Sequence, residues 1–178
     1  KLHKYLFGDL YEWAGTFRKA NFYKSERVLS GASAEYADYR DIEKRLESLL
    51  QKYYKLDWSL ISEKGEVVSD FLLALWSIHP FREGNTRTCI TFLWHYLKGK
   101  GVDFQVALLR NNPMYVRDSL VMANFDRKEY LRKIISDALQ GDVQENKYAM
   151  DEEGTGEQYK IAKADYEAFR EKYSIKKE

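Results

Sequence analysis

Ten consecutive residues, His79 to Thr88 (HPFREGNTRT), place a histidine, a carboxylate, a glycine, an amide and two arginines side by side. Each type has a use in handling phosphate. His79 is the group in this stretch that can move a proton near neutral pH, which makes it a candidate general base. Glu83 offers a hard oxygen; a carboxylate beside phosphates is a usual setting for Mg²⁺, which keeps waters and takes further ligands from its substrate. Gly84 has no Cβ and lets the backbone come close to an anion. Asn85 can hold the loop or donate to an oxygen. Arg87 carries a permanent charge on a fork suited to phosphate. Phe81, between His79 and Glu83, would turn the opposite way and anchor the loop in the core. Together these residues imply transfer of a phosphate-containing group from a nucleotide to a hydroxyl. Each also has a plainer use: a histidine at a helix end is commonly structural, Glu-Gly-Asn is an ordinary turn, and Glu83 with Arg87 is an ordinary i,i+4 pair. Their conjunction in one loop is what favours chemistry.

Two helices must position that loop. Glu66 to Ile78 is apolar nearly all round through Val67, Val68, Phe71, Leu72, Leu75 and Trp76, the mark of a central buried helix, and Pro80 stops it. A second helix is expected from about Thr86 to Lys98, with Cys89, Phe92, Leu93, Tyr96 and Leu97 inward and Gly99 and Gly101 at its end. Its N-terminal N–H groups and dipole point into the loop, an anion site made by backbone. An arginine in that first turn opposes the dipole, which is easier to understand if an anion sits there.

The remaining elements are read from the same periodicities. Lys1 to Trp13 carries Leu2, Leu6, Leu10 and Trp13 at helical spacing, with a break at Gly8. A loop with an extended, hairpin-like piece follows, containing Val28 and Leu29. Ser33 is placed to cap a helix over Ala34 to Tyr54, whose apolar face is Ile42, Leu46, Leu49, Leu50 and Tyr53. Asn112 and Pro113 form an N-cap and first-turn pair for the next helix, and Asp126 is placed to cap another that ends at Gly141. The expected organisation is a core over 1–141, an acidic linker over 142–158 and a helical extension over 159–178. The fold class is all-α with one small β-hairpin.

At 178 residues the chain can bury a sizeable core, and 44% hydrophobic with 32% charged residues fits a soluble globular protein. A net charge of +1 draws it neither to nucleic acid nor to a membrane. Lone Cys89 excludes an internal disulfide and fits a reducing compartment. No apolar run reaches membrane-spanning length and no signal peptide is visible. Because the chain opens at Lys1 within a helical pattern, residues upstream of it are expected in the parent protein. His3 and His95 read as surface or core-edge residues. A zinc site from His79, Glu83 and His95 fits no standard ligand spacing.

HPFREGNTRT resembles the signature of the Fic family, His-x-Phe-x-(Asp/Glu)-Gly-Asn-(Gly/Lys)-Arg-x-x-Arg. The segment LHKYLFGDLYEWAGTFRKANF is similar to that family's first helix and the Tyr-x-Trp-Ala-Gly-x-x-Arg stretch before its flap hairpin. The likeness runs over roughly Leu2 to Leu139. It implies a Fic-like helical bundle that moves AMP from ATP to a Ser, Thr or Tyr hydroxyl of a target protein, with Mg²⁺. In that scheme His79 is the general base, Phe81 the core anchor and Glu83 the metal ligand. Gly84, Asn85, Thr86 and Arg87 hold nucleotide phosphate. The flap, about Tyr23 to Ser33, would dock an extended target segment through Lys24, Arg27, Val28 and Leu29, a form of strand addition.

Two positions depart from the pattern. Thr86 stands where Gly or Lys is usual, and its Cβ would narrow the anion hole. Ile90 stands where the second Arg should be, which removes one phosphate contact and leaves the donor nucleotide open. Relatives on this scaffold transfer other phosphate-containing groups, or orient phosphate differently as the Doc branch does. A non-catalytic protein-binding module is the reading from another class; the intact His79–Glu83 pair speaks against it. The family's inhibitory motif, (Ser/Thr)-x-x-x-Glu-(Gly/Asn), finds no convincing match: Ser136 to Gly141 has Gln140 in place of Glu. Control could lie upstream of Lys1 or in a separate antitoxin-like partner. A cytoplasmic, bacterial setting is expected, with export into another cell left open.

Overall fold

The apolar run ending in Trp76 forms the pillar around which the other helices gather. A computed structural model describes residues 1–141, so the acidic linker and the helical extension expected beyond them lie outside the described residues. The pillar, α3, spans Lys64–Ile78, following α1 (Leu2–Phe7) and α2 (Ile42–Tyr54). After it come α4 (Asn85–Gly99), α5 (Val106–Asn111), α6 (Pro113–Asn124) and α7 (Glu129–Gln140). Helices α2, α4, α6 and α7 all pack on α3, while α1 lies against α4 and α5 bridges α4, α6 and α7. Val68, Phe71, Leu72 and Trp76 are fully buried at the centre with Leu93, Leu97, Leu109, Leu120, Ile134 and Ile135. Each such side chain stabilises the fold by about 1.5–3 kcal/mol relative to exposure.

The all-α expectation holds: there is no strand among the described residues. The hairpin does not. The segment expected to form it is a compact turn around a short 3₁₀ helix, Arg27–Leu29, with Glu26 and Ala32 paired through backbone at 3.0 Å. Ser30 and Gly31 lie in the left-handed region (φ 51° and 93°), which coils the chain on itself. Val28 and Leu29 were expected to be exposed docking residues; both are buried, packed with the main core and joined to α6. An apolar pair that reaches a core is more stable there than in water, and the coil delivers it.

The second helix also starts later than the pattern suggests. Residues 34–38 are not helical; Ser33 does not cap α2 but accepts a hydrogen bond from the Lys24 N–H (3.1 Å). The Ala37 N–H bonds to the Ser77 carbonyl (3.0 Å), so this segment is tied to the end of α3. Tertiary hydrogen bonds outweigh local helix propensity here. Two other caps differ: the Asn112 amide donates to the Leu108 carbonyl (2.8 Å) instead of capping α6, and α7 opens after Lys128, not at Asp126. Pro113 does occupy the first position of α6. No described helix is long and apolar enough to cross a membrane.

Candidate active site

The loop between α3 and α4 is clamped from several directions. Asn85 is buried, and its side chain is wholly engaged with Phe81: its oxygen accepts from the Phe81 N–H (2.9 Å) and its NH₂ donates to the Phe81 carbonyl (2.7 Å). It holds the loop, the first of the two uses its type allowed. Phe81 is buried, and His3 stacks on it with ring centroids 3.8 Å apart. His3 is not at the surface or the core edge, as its sequence context suggested; it is buried. Its Nδ1 accepts from the Gly15 N–H (2.9 Å), so its Nε2 carries the proton and donates to the Glu83 carbonyl (3.0 Å). One imidazole thus ties α1, the following turn and the motif loop together. His95 is exposed on α4.

His79 is the C-cap of α3 and has left-handed backbone (φ 48°, ψ 59°). Arg18 fixes that conformation: its Nε donates to the His79 carbonyl (2.8 Å), and the same guanidinium reaches the carbonyls of Ala37 and Ala20. Arg18 is the arginine that closes the Tyr-x-Trp-Ala-Gly-x-x-Arg stretch, so a signal for it was present, without a role. The His79 ring packs on Tyr36 (3.9 Å between centroids) and edge-on against Trp76 (5.1 Å). Its Nδ1 lies 3.1 Å from the Trp76 carbonyl. A carbonyl can only accept, so Nδ1 bears the hydrogen and Nε2 bears the lone pair. That Nε2 is buried and, among the described residues, has no hydrogen-bond partner. Burial pushes the imidazole pKa down to about 3, opposed by the bond to the Trp76 carbonyl and assisted by the cations Lys24, Arg117 and Arg18. The residue is therefore neutral at physiological pH.

Glu83 presents a half-exposed carboxylate, held 3.2 Å from Lys24 Nζ. Among the described residues no three His, Cys, Asp or Glu side chains gather as a metal-binding group. A lone accessible carboxylate suits Mg²⁺ completed by substrate phosphates and water, and does not suit an ion that needs a full protein cage. Gly84 begins α4 with φ 77°, and a Cβ there would lie 2.6 Å from the Phe7 ring. Close packing against α1 therefore accounts for this glycine as well as any approach by an anion. The first intrahelical bond of α4 is made by the Thr88 N–H to the Gly84 carbonyl (2.9 Å), so the N–H groups of Asn85, Thr86 and Arg87 precede the ladder. Thr86 accepts a hydrogen bond from the Trp76 indole (3.0 Å), which holds its side chain against α3. Arg87 is exposed and lies over the Phe7 ring (4.7 Å). Ile90 is half-buried against the core.

Among the four expected flap residues, Lys24 reaches Glu83, Arg27 is paired with Asp118 of α6, and Val28 and Leu29 are interior. Sequence reasoning missed the buried carboxylate Glu26, which accepts from both Arg117 (2.7 and 3.0 Å) and the Tyr36 hydroxyl (3.0 Å). That network braces the ring on which His79 rests. Ninety-one positions separate Glu26 from Arg117, and no local pattern could have linked them.

Residues 1–97 match the Fic/DOC family. The chain belongs to this family. Curated relatives include the protein adenylyltransferase VbhT of Bartonella schoenbuchensis, 35% identical over 107 residues that make up 57% of this chain and 20% of that protein. A probable protein adenylyltransferase of Sinorhizobium fredii, y4lH, is 36% identical over 96 residues, 52% of this chain and 46% of that one. The chain thus spans between a fifth and just under half of the curated relatives it matches. Among solved structures, the BepC protein of Bartonella tribocorum, described as a VirB-translocated effector with bound AMPPNP, superposes with a TM-score of 0.62 at 22% identity. That match covers 77% of this chain and 70% of the other. A Fic domain from Bartonella quintana gives a TM-score of 0.61 at 22% identity, covering 77% and 67%. These two likenesses establish the fold.

Proposed function

We propose that this Fic/DOC domain transfers AMP from ATP to a hydroxyl of a target protein, a Ser, Thr or Tyr side chain. The observation that carries the reading is His79: a neutral imidazole in fixed tautomer, with a buried, unpartnered Nε2 beside the start of α4. The hydroxyl oxygen attacks the α-phosphorus as its proton passes to His79 Nε2. The bond from that phosphorus to the oxygen bridging to the β-phosphate breaks, and pyrophosphate leaves. Free N–H groups at the start of α4 and the Arg87 guanidinium accept the phosphate charge. Phosphate anions near the ring favour its charged form, so the basicity of His79 rises when nucleotide binds. Glu83 would hold Mg²⁺, which neutralises phosphate charge and stabilises the leaving pyrophosphate. Lys24 must then give up its contact with Glu83, and is released to meet phosphate or target.

The decisive experiment uses ATP labelled at the α- or the γ-phosphorus, incubated with the protein and a cell lysate. Label retained on protein from the α-position, and absent with His79→Ala, supports AMP transfer. Label from the γ-position would establish phosphoryl transfer instead. No label from either, with nucleotide bound, would favour a binding module.

A further inference from the structure

Ile90 leaves a gap where the family signature has an arginine, and the structure shows what faces that gap. A cleft of about 390 Å³ opens beside the first turns of α4, between α1, α4, α5 and the start of α6. Its walls are mostly apolar, with Phe7, Ile90 and Leu109 among them. Two arginines line it, Arg87 from α4 and Arg110 from the last turn of α5. Among the described residues no carboxylate lines it. Arg110 is exposed, and among the described residues neither arginine has an ion-pair partner. Two arginines without ion-pair partners on one apolar cleft make a setting that suits an anion.

We propose that Arg110 supplies the phosphate contact that Ile90 forfeits, binding the outer phosphates of the donor nucleotide from across the cleft. Arg87 and Ile90 are three residues apart and share a face of α4, the face that looks into this space. A polyphosphate whose inner phosphate sits at the α4 N-terminus extends along that face past Ile90. The second fork comes from α5 instead of α4. An apolar floor under the phosphates suits a guanidinium, which is weakly hydrated and loses little on leaving water. The assignment rests on the α4 N-terminus being the nucleotide-phosphate site. The competing use of Arg110 is local: a cation in the last turn of α5 complements that helix's dipole.

The test is calorimetric titration of ATP, ADP and AMP, with Mg²⁺ present, into wild type, Arg110→Ala, Arg110→Gln, Arg110→Lys and the double variant Ile90→Arg/Arg110→Ala. Loss of one charge-assisted contact should weaken ATP binding about tenfold or more in Arg110→Ala and Arg110→Gln, leaving AMP unchanged. Arg110→Lys should recover part of the loss, and Ile90→Arg should restore ATP affinity in the Arg110→Ala background. ATP affinity unchanged in a folded Arg110→Ala or Arg110→Gln protein overturns the proposal, as does an equal loss for ATP and AMP. If ATP binding depends on Arg110 but no AMP reaches protein, the transfer reading fails and this one stands. A wild type that binds none of the three nucleotides overturns both.

Discussion

At the scale of single residues, the type of His79 could be read from the sequence, but its environment could not. A histidine followed by proline at the end of an apolar helix says nothing of the carbonyl that fixes its tautomer, nor of the Arg18 clamp on its backbone. These decide its behaviour. Substitution by Asn, which tolerates the left-handed conformation, should leave the fold intact and cut transfer by a factor of roughly 10²–10⁴. Normal labelling by His79→Asn would remove His79 from the chemistry. Its titration gives a second test. With the imidazole pKa lowered from 6.5 to about 3, the nucleotide-free protein keeps this ring unprotonated well below pH 6.5. An NMR titration of the His79 ring in the nucleotide-free protein should therefore show no inflection near 6.5; an inflection there would mean that the ring is solvated. The linkage has a definite sign. The folded pKa is depressed, so the unfolded chain takes up the His79 proton first, and stability falls as pH drops from about 6.5 towards 3. His79→Asn should unfold at a lower pH than wild type in acid titration. Glu83 gives the remaining residue-scale prediction. Chelating divalent ions should weaken nucleotide binding in wild type and have little further effect in Glu83→Ala. Equal sensitivity to chelator in both proteins would argue against a metal role for this carboxylate.

Between residues and molecule stand the elements, where the sequence reading divides. Helices α3 and α4 were legible because their apolar periodicity and their Pro and Gly stops act locally. The flap was not. Its conformation depends on partners far along the chain: Asp118 for Arg27, Arg117 for Glu26, and the core for Val28 and Leu29. A short apolar pair between turn residues looks the same in a hairpin as in a coil that tucks inward. Because Leu29 is interior, Leu29→Ala should cost about 2–5 kcal/mol and lower the denaturation midpoint, as core truncations do. A midpoint unchanged from wild type would return this pair to the surface. The junction of α1 and α4 offers a sharper test. At Gly84 a Cβ meets the Phe7 ring at 2.6 Å on a backbone with φ 77°. Gly84→Ala should lose about 1–2 kcal/mol to the left-handed strain and about 1–3 kcal/mol more to overpacking. Shrinking the ring with Phe7→Leu in the Gly84→Ala background should recover the second part and none of the first. A strictly additive double variant would show that the two residues do not meet.

Over the whole molecule, the candidate site is a seam between distant stretches of chain. The turn after α1 brings Arg18, the coil brings Lys24 and Tyr36, α3 brings Trp76 and His79, and α4 brings its N-terminus. His3, near the start, holds the Glu83 carbonyl from outside the motif. The signature was readable as a string, yet most of what braces it lies outside the string, and no periodicity links such positions. The coil, α3 and α4 share the main core, while the turn after α1 is tied to the end of α3 by Arg18 and α1 lies against α4, so a ligand at the seam should stabilise the whole domain and not one lobe of it. At a hundredfold excess over its dissociation constant a ligand adds about 2.7 kcal/mol. For a protein of this size, roughly 2–4 °C of midpoint accompanies each kcal/mol, so saturating ATP with Mg²⁺ should raise the midpoint by about 5–11 °C. The shift should appear equally in tryptophan fluorescence, to which Trp76 beside the site contributes together with Trp13, Trp58 and Trp94, and in far-ultraviolet dichroism, which averages over every helix. If fluorescence moves while the bulk of the helical signal melts at its old temperature, the seam unfolds separately from the core, and the coupling inferred from these ties is wrong.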